Sequence, residues 1–157
     1  YEKTMKKYFN EWSFKHPNPN DFIRCAEIVS GSELDWYLDD WTKTTNIIDY
    51  KVVSVENNNE RCLVKLERVG LMPFPLDVIV TFEGGVEQKY HIPLRMMRKD
   101  RPLGANIKKL DDWPWANPYY SFFVSTTKKV LKVSIDPENN IADVNRKNNT
   151  LTKENIE

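Results

Sequence analysis

The chain has 157 residues, with 23 Lys or Arg against 23 Asp or Glu, so its formal net charge is zero. That length fits one ordinary domain or two small ones, and 40% hydrophobic with 29% charged residues is the composition of a folded protein. No apolar run reaches the roughly 20 residues of a membrane-spanning helix, and the neutral balance lacks the basic footprint of a nucleic-acid binder.

Residues 1–48 read as helices. Tyr1, Met5, Tyr8 and Trp12 recur at helical spacing, with Phe9 beside them. His16-Pro17-Asn18-Pro19 breaks that helix, because proline removes a donor and restricts its predecessor. Asn18 is a natural N-cap with Pro19 at the first helical position. Phe22, Cys25, Ala26 and Val29 then form one stripe, and Gly31 suits the C-cap. Ser32 with Asp35 resembles a capping box for a third helix, which carries Leu34, Tyr37, Leu38 and Trp41 and ends near Thr44.

After Asp49 the period changes to two, the mark of strands. Strands are expected over 50–55, 62–66 and 76–82. Gly84-Gly85 signals a hairpin into a return strand with Val86, Gln88, Tyr90 and Ile92 on one face. Further strands are expected over 120–124, 131–135 and 141–144, with a turn at Asp136-Pro137-Glu138-Asn139-Asn140. Six or seven short strands with regular turns argue for an antiparallel sandwich. The fold class is therefore α+β: about three helices over 1–48, then an immunoglobulin/fibronectin-like β-sandwich over 49–148. The polar stretch 149–157 is expected to fray.

Little of this carries chemistry. H-E-x-x-H, G-x-S-x-G, P-loop and G-x-G-x-x-G are all missing. Cys25 and Cys62 are too few for a disulfide framework, and the sequence does not tell whether they pair. With His16 and His91 they show no zinc spacing. The oxygen-rich stretch 136–143 suits calcium, but it matches no EF-hand and a turn explains the same residues. No catalytic or metal-binding residue is nominated. Two clusters remain. Trp113, Trp115, Tyr119 and Tyr120 are candidates for covering one end of the sandwich, for interdomain packing, or for stacking on a glycan or protein ligand. Arg95, Arg98, Lys99, Arg101, Lys108 and Lys109, with only Asp100 against them, form a candidate basic patch or a solvated loop.

Some stretches resemble a known family. Tyr8-Phe9-Asn10-Glu11-Trp12, Lys15-His16-Pro17, Asp21-Phe22, Ser30-Gly31, Leu34-Asp35-Trp36 and Trp41 resemble the last helices of the catalytic domain in aminopeptidase N-like zinc metallopeptidases. Arg68-Val69-Gly70, Met72-Pro73, Leu76-Asp77-Val78, Ile135-Asp136-Pro137 and Ala142-Asp143-Val144-Asn145 with Asn148-Asn149 are similar to the small β-sandwich domain after them. The family's zinc motif, its substrate-amine motif and its tyrosine have no counterpart here, so no catalytic residue is carried over. The resemblance implies a non-catalytic C-terminal segment, no cofactor of its own and zinc in the parent. Its partner would be the upstream catalytic domain, with peptide substrate met only through the parent. A first residue that is Tyr1 rather than Met agrees with a piece of a longer protein. Relatives of this family are exported in many bacteria and cytosolic in others, so the compartment stays open.

Overall fold

The computed structural model describes residues 1–58 and 60–152. The chain divides into two units. The helical unit holds residues 1–45 together with 96–101, and the β unit holds 46–95 and the chain from 102 onward.

In the helical unit, α1 (Glu2–Trp12), α2 (Pro19–Ser30) and α3 (Asp35–Lys43) follow the spacing of their apolar residues. The α2 start is a complete capping box. Asn18 Oδ1 accepts from the amides of Asn20 (2.8 Å) and Asp21 (3.3 Å), and the Asp21 carboxylate accepts from the Asn18 amide at 2.8 Å. Gly31, at φ 71°, ends the helix in the left-handed region. The start of α3 differs from expectation: Leu34 is the N-cap residue, without a side-chain cap. Ser32 is drawn elsewhere, its hydroxyl donating to Lys99 O at 2.7 Å, while the Glu27 carboxylate accepts from the Leu34 amide at 2.9 Å. α1 and α2 meet through an edge-to-face contact of Tyr8 and Phe22 at 5.4 Å.

The β unit holds two sheets. One is three-stranded, in the order β1 (Tyr50–Asn57), β2 (Arg61–Arg68), β6 (Tyr119–Ser125). The other is five-stranded, in the order β5 (Ile107–Lys109), β4 (Glu87–Ile92), β3 (Leu76–Phe82), β7 (Val130–Ile135), β8 (Thr150–Thr152). Among the described residues neither sheet closes into a barrel. Alternation decides which side is buried: Cys62, Val64 and Leu66 of β2 and Leu76, Val78 and Val80 of β3 are almost fully buried. The buried faces of the two sheets meet, as Tyr90 on β4 against Phe122 on β6 at 5.3 Å illustrates. Gly84 and Gly85 both take positive φ in the β3–β4 hairpin, as the turn requires.

The structure corrects three expectations. The sheets are not wholly antiparallel, because β5 runs parallel to β4. Residues 141–144 are not a strand; Asp143 makes only an isolated bridge with Ile48. The last strand among the described residues is β8, inside the stretch expected to fray, where Ser134 and Thr150 hydroxyls meet at 2.6 Å. The rest of that stretch, 153–157, lies outside the described residues. No helix among them is long and apolar enough to cross a membrane.

Candidate functional site

The aromatic segment after β5 is built around Trp113. Its side chain is only 2% exposed, and its indole N–H donates to Asn117 O at 2.7 Å. The ring stacks on Tyr120 at 5.1 Å and meets Tyr50 edge-on at 5.5 Å. Tyr120 fastens the segment from the other side, its hydroxyl donating to Asp111 O at 2.7 Å. Arg68 holds the loop, donating to Trp115 O at 2.5 Å and to Leu71 O at 2.7 Å. Trp113 is thus packed inside the β unit between Tyr50 and the half-buried Tyr120. Trp113 and Tyr120 are not part of an exposed aromatic row. Trp115 and Tyr119 are open, at 59% each. The four candidates divide because Trp113 and Tyr120 face inward onto Tyr50 and Phe122, and sequence alone does not show that meeting.

Burial sets the chemistry of these phenols. Tyr50 is pushed up to about 12 by burial. Its hydroxyl both accepts from the Phe74 amide at 2.8 Å and donates to Phe74 O at 3.2 Å. Tyr120 also rises to about 12, first by burial and then by the Asp111 and Asp112 carboxylates. Neither is a phenol primed to ionise near neutral pH.

The six basic candidates are divided between the two units. Arg98, Lys99 and Arg101 belong to the segment packed in the helical unit, where Arg98 Nε pairs with Glu33 at 2.9 Å. Arg95, Lys108 and Lys109 belong to the β unit. There Arg95 and Lys109 line an open depression of about 580 Å³ together with Asp111 and Asp112, so the local charge is mixed.

The remaining polar clusters make bonds within their own units. Asp136 accepts from the amides of Asn140 and Ile141, each at 2.9 Å. Asp143 accepts from the amides of Tyr50 (3.0 Å) and Asn145 (2.8 Å). The Asp136 and Asp143 carboxylates of the stretch that suited calcium thus accept from backbone amides, while Glu138 meets the Lys89 and Asn140 side chains. Glu27, Glu33 and Asp35 bring carboxylate oxygens within 4.8 Å of one another. Two of the three are already engaged, by Leu34 and Arg98. Cys25 and Cys62 are free, buried thiols. Burial raises both, Cys62 to about 11, so neither is a ready thiolate.

Sequence reading missed two features. His91 and Asp77 sit opposite each other on β4 and β3, with Nδ1 and Oδ1 2.6 Å apart and the imidazole buried. Only the strand register reveals them. Gly70 is the other: a Cβ there would lie 2.2 Å from Ile47 O. No protein-family model matches this chain, and no curated protein matches it.

Proposed function

We propose that this chain has no catalytic activity of its own and acts as a structural segment of a larger enzyme. In this reading the β unit is an immunoglobulin/fibronectin-like sandwich that buttresses an upstream catalytic domain, and α1–α3 are that domain's last helices. The parent is an aminopeptidase N-like zinc metallopeptidase that removes N-terminal residues by zinc-assisted attack of water on the peptide bond.

One observation carries the reading. Three amphipathic helices come with almost no core of their own. Thr4, Cys25 and Ala26 are the helical residues buried, while Phe9 is 67% and Ile28 61% exposed. Helices in water draw most of their stability from burying an apolar face. Stripes left this open suit a larger helical body that covers them.

Two measurements test it. The purified 157 residues with added zinc are expected to release no N-terminal amino acid from peptides, and turnover would overturn the proposal. The continuous upstream coding sequence is expected to hold H-E-x-x-H with a glutamate about twenty residues later. An upstream reading frame without that motif would refute the parentage.

A further inference from the structure

The strand β6 forms one edge of the three-stranded sheet, pairing with β2 and with no other strand among the described residues. The register says which of its backbone groups are unused. Arg68 N donates to Pro118 O (2.7 Å) and Thr126 N donates to Glu60 O (3.2 Å). In an antiparallel ladder such directly opposed bonded pairs alternate with non-bonded ones. Tyr120, Phe122 and Val124 therefore turn their N–H and C=O groups toward β2. Tyr119, Ser121, Phe123 and Ser125 turn theirs outward. The Tyr119 amide is met by Asn117 Oδ1 at 3.1 Å, and those of Ser121, Phe123 and Ser125 meet no partner among the described residues.

Natural edges are normally blunted by charge, proline or shortness. This one is seven residues long and carries no charge, no proline and no glycine. The other edges are defended. β1 carries Lys51 and Glu56, β5 carries Lys108 and Lys109, and β8 is three residues long. The exposed side chains of β6 are uncharged, two serines and two aromatics, with Tyr119 59% and Phe123 55% exposed and Phe123 capped by the Arg61 guanidinium at 4.6 Å from its ring.

From these features we infer that β6 is a self-association edge: two copies of this chain pair β6 against β6, antiparallel, and fuse their three-stranded sheets into one of six strands. The sequence is self-complementary in that arrangement. A two-fold axis at Phe122 aligns the whole strand and sets Ser121 opposite Phe123 of the second copy, and Tyr119 opposite Ser125. Ser121 and Phe123 have both backbone groups open and form bonded pairs, and at the strand end the Ser125 amide of one copy donates to the Tyr119 carbonyl of the other. The neighbouring charges agree. On β2, Glu67 lies beside Tyr119 and Arg61 beside Ser125. The two-fold places the acidic end of one copy in row with the basic end of the other, three strand spacings or roughly 14 Å apart before the side chains reach toward each other. The contact is isologous and closes on a dimer.

The association concerns the β unit's edge and stands independently of the proposed parent enzyme. Sedimentation and light scattering of the full chain across concentration are expected to show a monomer–dimer equilibrium. Hydrogen exchange should slow at Ser121, Phe123 and Ser125 as concentration rises, with Phe122 and Val124 protected throughout. Ser121→Pro removes an outward donor without touching the β2 ladder and is expected to weaken the dimer at least tenfold. Should that variant fold poorly, Phe123→Lys, at an exposed position, is expected to do the same by placing two cations beside the axis. A chain that stays monomeric at millimolar concentration would overturn the inference. So would a dimer unaffected by both substitutions, which would have to form through another surface.

Discussion

At Gly70 the backbone passes so close to residues 47–49 that a side chain has nowhere to go. A Cβ would lie 2.2 Å from Ile47 O and 2.7 Å from the Asp49 amide nitrogen. The contact cannot relax cheaply, because Gly70 N and Val69 N both donate to Asp49 O and Met72 N donates to Ile47 O. Gly70→Ala is therefore expected to cost the β unit about 2–4 kcal/mol by forced backbone displacement. Gly104 is the control. Nothing lies within 4 Å of its added Cβ, so Gly104→Ala should change stability by less than about 0.5 kcal/mol. Urea unfolding of the two variants checks this, and equal midpoints would show that the 47–70 approach is looser than the geometry implies. Arg68, two residues earlier, pins the same crossing from below by donating to Gly70 O at 3.2 Å.

Among the elements, α2 is the one whose start is written most completely into the sequence. Asn18 satisfies the Asn20 and Asp21 amides, Asp21 returns a bond to Asn18, and Pro19 occupies the first helical position. Asn18→Ala removes two acceptor contacts and is expected to cost about 1 kcal/mol, read as faster exchange of the α2 amides. Unchanged exchange there would mean that packing against α1, not the cap, holds the helix. Local chemistry marked Asn18, Gly31, Gly84-Gly85 and the alternating strands β1 to β4, because the causes sit within a few residues. The misplaced elements are those decided at a distance. Ser32 looked like a cap but donates to Lys99. Ile141 and Asp143 are buried as alternating strand residues would be, yet Asp143 spends its carboxylate on Tyr50 and Asn145. β5 is three residues with two lysines, and it exists only because β4 offers a parallel edge. For the aromatic cluster, composition named the residues, but Tyr50, far away in sequence, decides that Trp113 is buried.

Over the whole molecule, neutrality at pH 7 conceals an uneven response to base. Buried Tyr50 and half-buried Tyr120 make the folded chain hold protons that the unfolded chain has already lost. An unfolded tyrosine ionises near pH 10, whereas Tyr50 and Tyr120 in the fold are held up to about 12. Between these values the folded state binds more protons than the unfolded one, so stability falls as pH rises. The stabilising contribution is intact below about pH 10 and is lost on the way up through about pH 12. Tyr50→Phe separates this effect from general alkaline damage. The variant should be less stable at pH 8, because it loses the bonds that the Tyr50 hydroxyl accepts from the Phe74 amide and donates to the Phe74 carbonyl, about 0.5–1.5 kcal/mol each. Its stability should then fall less steeply than the parent chain's between pH 10 and 12, by up to one proton, or about 1.4 kcal/mol per pH unit. Cys62, raised by burial to about 11, steepens the curve in both proteins and cancels in the comparison. Urea unfolding at several pH values reads the slopes, and phenolate absorbance of the folded proteins reads the ionisation directly. Parallel slopes for the two proteins would mean that the Tyr50 phenol titrates as freely in the fold as out of it, and that the Tyr50–Phe74 contact opens before the core does.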